Sequence, residues 1–66
     1  MNITVNGEDR RVGPGTTLAE LVEQVAGSGR GTAAAVDGTV VPRGGWPAER
    51  LRDGVVVELV TAVQGG

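Results

Sequence analysis

The residues best placed to do chemistry are the last two, Gly65 and Gly66. A terminal glycine presents a carboxylate with no side chain beside it. Because glycine lets a backbone approach other atoms closely, such a group can slide into a narrow active site on another protein and be activated there. The competing reading is an inert, frayed end, since termini are commonly disordered. With 12 glycines among 66 residues, the pair alone does not decide between the two.

The rest of the inventory narrows the choice. There is no cysteine and no histidine, which removes disulfides, Cys/His metal sites and thiol or imidazole catalysis. Asp and Glu remain as possible acids, but no pair of them falls in a recognisable pocket-forming context. A chain of 66 residues makes one small domain that buries only about 60% of its unfolded surface. One apolar core of that size has no room to surround a sizeable ligand pocket as well. An enzyme in its own right is the least supported class.

Net charge is −2, all six basic residues are arginine, and Trp46 is the sole aromatic. An acidic chain without clustered cations or stacking platforms is a poor nucleic-acid binder. No stretch resembles a signal peptide or a membrane span, so a cytoplasmic, soluble protein without membrane partners is expected. The absence of lysine removes amines that would attack an activated C-terminus, although a general arginine bias produces the same composition.

The elements that must carry this tail are legible as patterns. Met1, Ile3 and Val5 alternate with Asn2, Thr4 and Asn6, the period of a half-buried strand. Asn6-Gly7 is a strong hairpin signal, after which residues 8–12 return as a second, polar strand suited to an edge. Thr17 and Glu20 have capping-box spacing. Leu18, Leu21, Val22, Val25 and Ala26 then form one apolar stripe, with Gly27 as the stop. The Gly-x-Gly of the following connector comes after a helix and before a strand, the reverse of a dinucleotide-binding loop.

Residues 33–36 form a short apolar run, Asp37-Gly38 a turn, and residues 39–43 an extended segment that Pro42 confines to an edge or strand end. Residues 44–52 read as irregular with one helical turn, anchored by Trp46 and Leu51. After the Asp53-Gly54 turn, residues 55–60 make the clearest strand. Valine supplies 12 residues, which suits a sheet. A first hairpin, a crossover helix and a last strand beside the first predict an α+β fold, a mixed sheet of four to five strands with one helix across it. This is the outline of the ubiquitin-like β-grasp.

Over nearly its whole length the chain resembles the thiamine-biosynthesis sulfur carrier family, ThiS. The resemblance rests on the N-terminal hairpin, Thr-Leu-x-Glu-Leu at residues 17–21, and Ala-Val-Asp-Gly at residues 35–38. It also rests on Val41-Pro42-Arg43 followed by Trp46, then Leu51, Asp53-Gly54, a hydrophobic last strand and Gly65-Gly66. The Val-Pro-Arg-x-x-Trp segment discriminates most. Two features depart from the family pattern. Val55 stands where members often have an acidic residue, and the last strand has no aromatic.

The resemblance implies a domain at residues 1–60 and a flexible tail at residues 61–66. It implies that the Gly66 carboxylate is adenylated by a ThiF-like adenylating enzyme using ATP and magnesium, the carrier itself binding no cofactor. Sulfur from a cysteine desulfurase-type source would then displace AMP, leaving a thiocarboxylate for delivery to thiazole synthase. Val63, Gln64 and Gly65 would be recognised as the tail. Alternation places Val55, Val57 and Leu59 towards the core and leaves Val56, Glu58 and Val60 facing out, an expected docking patch for a partner. Trp46 is expected to serve as a core lid. The rival readings are a diglycine carrier of the molybdopterin-synthase small-subunit type, a protein-conjugating modifier, and a non-covalent β-grasp binding module with an inert tail.

Overall fold

The computed structural model describes residues 1–61. Two strands, β1 (Asn2–Val5) and β2 (Glu8–Arg11), form the first hairpin. The helix α1 (Leu18–Ala26) follows, then β3 (Thr32–Val36) and β4 (Thr39–Val41). A 3-10 helix at Arg43–Ala48 leads to the last strand, β5 (Val56–Thr61). The sheet runs β2-β1-β5-β3-β4. β5 lies parallel to β1 and antiparallel to β3, while both hairpins are antiparallel. This is the expected β-grasp, with five strands.

Local chemistry explains each element. At the first turn Asn6 and Gly7 take φ of 51° and 82°, the backbone that a two-residue hairpin requires and that these residue types tolerate. β2 is exposed throughout and occupies a sheet edge. The Thr17 Oγ1 accepts from the Glu20 N–H at 3.2 Å while the Glu20 carboxylate accepts from the Thr17 N–H at 2.8 Å, completing the capping box. At the other end the Gly27 N–H donates to the Glu23 carbonyl.

A nine-residue helix is too short to stand alone. It is held by burial of Leu18, Leu21 and Val22 against Ile3, Val5, Ala34, Val36, Val57 and Leu59. The strap after the 3-10 helix pins its start: Leu18 N–H donates to the Glu49 carbonyl, and Leu51 N–H to the Thr16 carbonyl. The stripe is narrower than its spacing predicts, because Val25 is 41% exposed. It looks over the tip of the first hairpin, where Asn6, Glu8, Asp9 and Arg10 line a shallow depression. Polar β2 has no apolar side chain to cover it.

The Val-Pro-Arg-x-x-Trp segment is structural in this fold. Trp46 is buried among the core residues and its indole Nε1 donates to the Val41 carbonyl at 2.9 Å. The Arg43 guanidinium lies 5.7 Å from the Trp46 ring centroid and donates to the Ser28 carbonyl at 3.0 Å. One side chain thereby ties the loop after α1 to the 3-10 helix. Leu51 is buried in the same core, as its anchoring role requires.

Candidate functional site: the last strand and its outer face

β5 carries the chain from the middle of the sheet towards its last residues, so its registry decides where those residues start. Val55, just before it, and Val57 and Leu59 within it are buried, and Val57 is fully enclosed. Val56 and Val60 are 45% and 66% exposed and Glu58 is exposed. The period-2 pattern therefore held at each of these six positions. The carboxylate of Glu58 explains the choice of face, since a charge avoids a dry core.

The neighbouring strands extend this outer face. Antiparallel pairing sets Val60 opposite Ala33 and Glu58 opposite Ala35, and Ala35 in turn lies opposite Val40. Val40 is 70% exposed. Val56 pairs with Thr4 of β1. The result is an outer sheet face that carries Val56, Val60 and Val40, with Ala33, Ala35 and the Glu58 carboxylate among them. Sequence reasoning reached the β5 valines but missed Val40, Ala33 and Ala35. The signal was present: the two-residue Asp37-Gly38 turn sets Val36 opposite Thr39, and counting back places residues 35 and 40 on one face.

Two side chains fasten β5 at positions where its neighbours end. Asp37 Oδ1 accepts from the Val56 N–H at 3.0 Å, and the Asp37 N–H donates to the Val56 carbonyl at 2.8 Å. On the other side, Asn6 Oδ1 accepts from the Leu59 N–H at 2.8 Å and Asn6 Nδ2 donates to the Leu59 carbonyl at 3.1 Å. The Arg52–Asp37 ion pair, 3.6 Å and largely exposed, adds little. At the end of the strand Thr61 pairs with Thr32, their hydroxyls 3.5 Å apart. The expected tail residues Val63, Gln64, Gly65 and Gly66 lie outside the described residues.

A family model described as the ThiS family matches residues 3–66. The chain belongs to the ThiS family. The sulfur carrier protein ThiS of Escherichia coli (strain K12) is 32% identical over 66 residues, covering the whole of both chains. A crystal structure of the thiamine biosynthesis protein ThiS from Geobacter metallireducens superposes with a TM-score of 0.84 at 28% identity, again over all of both chains. A solution structure of a thiamine biosynthesis protein from the same organism gives 0.82 at 28% identity, over all of this chain and 88% of the other. ThiS membership and the β-grasp fold thus agree with the motif-based expectation, and the matched region includes Gly65 and Gly66. Among the described residues no helix is long and apolar enough to cross a membrane.

Proposed function

We propose that this chain is a sulfur carrier of thiamine biosynthesis, and that the carboxylate of Gly66 is the group that carries the sulfur. A ThiF-like adenylating enzyme, using ATP and magnesium, converts that carboxylate to an acyl-adenylate. A sulfur nucleophile, drawn from cysteine by a desulfurase-type partner, displaces AMP and leaves a thiocarboxylate. Thiazole synthase then takes the sulfur. The carrier supplies no catalytic group; it supplies an unhindered carboxylate and a surface by which partners hold it. The observation that carries this reading is the family match extending through residue 66, and its namesake relative is a sulfur carrier protein.

The outer face of β5 supports the docking half of the proposal. Val56 and Val60 flank Glu58 on the strand that leads to the tail, so a partner that buries this face also fixes where the tail begins. Apolar surface of this kind, removed from water on association, drives binding. Val63, Gln64 and Gly65 then thread the partner's channel, where the lack of a side chain on Gly65 gives the closest approach.

Deletion of Gly66 tests the reading. The carboxylate is withdrawn by up to about 3.5 Å of extended chain, whereas a misplacement of about 1 Å can cost on the order of a hundredfold in rate. Purified carrier, adenylating enzyme, ATP, magnesium and a sulfur source are incubated and the carrier's intact mass is recorded. The full-length chain should show exchange of one oxygen for sulfur, and the deletion variant should show none. Normal sulfur uptake by the shortened chain would overturn the assignment of Gly66.

A further inference from the structure

The side chain of Asn6 completes a stretch of sheet that the first hairpin cuts short. In the parallel pairing of β1 with β5, Thr4 N–H donates to the Val55 carbonyl and Asn6 N–H to the Val57 carbonyl, each at 3.0 Å. Continued at that spacing, the next rung would run from the Leu59 N–H to the main-chain carbonyl of Asn6. The one after would run from a main-chain N–H two residues further along to the Leu59 carbonyl. Neither can form, because the backbone turns away at Asn6 and Gly7, both at positive φ. The Asn6 carboxamide occupies both places, with Oδ1 on the Leu59 N–H at 2.8 Å and Nδ2 on the Leu59 carbonyl at 3.1 Å.

We propose that Asn6 is a positioning residue for the carrier tail: its carboxamide holds the distal half of β5 in register and so sets the point from which the C-terminal residues depart. This rests on the reading of Gly66 as the modified group. The placement of these bonds supports it. Among the described residues β1 pairs with β5 through Thr4–Val56 and Val5–Val57, so past Val57 the described part of the strand is held by β3 on one side and by Asn6 on the other. Two rungs from one amide are the connection between the hairpin and a residue two positions before Thr61, the last residue of β5. The chemistry is specific to asparagine. Aspartate would keep the acceptor but set a carboxylate against the Leu59 carbonyl, and glycine would keep the positive φ but lose both bonds.

The test compares Asn6→Gly, which preserves the turn, with Thr17→Ala, which weakens the fold at the far end of the molecule by removing the helix cap. Amide hydrogen exchange and sulfur uptake with the purified adenylating enzyme are measured on both and on the unaltered chain. In Asn6→Gly the Leu59 amide should exchange about tenfold faster or more, the scale of a lost pair of hydrogen bonds, while Ile3 changes no more than in Thr17→Ala. The maximal rate of sulfur uptake should fall about tenfold, a larger factor than any rise in KM for the carrier, because Val56 and Glu58 of the docking face precede Leu59 while the tail beyond it is misplaced. Asn6→Gln should not restore it, its amide lying one methylene too far out.

An unaltered chain that takes up no sulfur overturns the carrier reading and the positioning role with it. Sulfur uptake by the unaltered chain together with an Asn6→Gly rate equal to that of Thr17→Ala overturns the positioning role alone. So does an unchanged exchange rate at Leu59.

Discussion

Gly29 lies so close to Trp46 that a Cβ at residue 29 would stand 3.0 Å from the indole Cζ3 and 2.9 Å from Val22 Cγ1. The loop after the helix is therefore glycine because an aromatic ring and a helix side chain have taken the space. Its φ of 73° excludes most other residues independently.

Gly29→Ala should accordingly destabilise the fold in two ways at once. The left-handed backbone costs about 1–2 kcal/mol for a residue with a Cβ, and overpacking against Trp46 and Val22 a further ~1–3 kcal/mol. Urea unfolding should show a lower midpoint with an unchanged slope. Sulfur uptake below the unfolding range should be preserved, since the side chains crowded at residue 29 are those of Val22 and Trp46 and none of β5. A midpoint equal to that of the unaltered chain would show that the loop relaxes away from the ring.

Asp37 offers a way to separate a hydrogen bond from an ion pair. Asp37→Asn keeps an oxygen for the Val56 N–H and a residue type tolerant of its φ of 48°, losing only the exposed contact with Arg52. It should change stability by less than about 1 kcal/mol. Asp37→Ala loses the acceptor as well and places alanine at positive φ, for an expected cost of about 2–3 kcal/mol. The two unfolding midpoints, compared at low and at high salt, check this; equal losses would assign the contribution to the charge.

Val60→Asp tests the outer face. Its side chain is 66% exposed, so thermal unfolding should be nearly unchanged. In a complex that covers the face, an unpaired charge is held against apolar surface. KM for the carrier in adenylation should rise by about tenfold or more, the effect of ~1.4 kcal/mol of lost binding. An unaltered KM would remove this face from the docking surface.

Much of the molecule was legible in its residues because the signals were local. The Asn6-Gly7 and Asp37-Gly38 turns, the Thr17–Glu20 capping box and the alternation along β5 each depend on residues a few positions apart, where sterics and short-range hydrogen bonding act alone. The ThiS resemblance was legible for the same reason, from short motifs at characteristic positions. The exposure of Val25 was not, because it depends on which strand lies near the last helical turn, and only the fold sets the polar residues Glu8, Asp9 and Arg10 there.

Local patterns in the residues set the elements, their order, and the side of β5 on which Glu58 lies. What each face meets depends on contacts between distant parts of the chain. Trp46 and Gly29 are 17 residues apart in the chain and become neighbours through the path of the loop around the helix end. Val40 joins Val60 on one surface only because β3 lies between their strands. Asn6 is needed for its turn on local grounds, yet its bonds to Leu59 span 53 residues. A carboxamide has no preferred partner until the sheet brings one within about 3 Å, and that placement belongs to the whole fold.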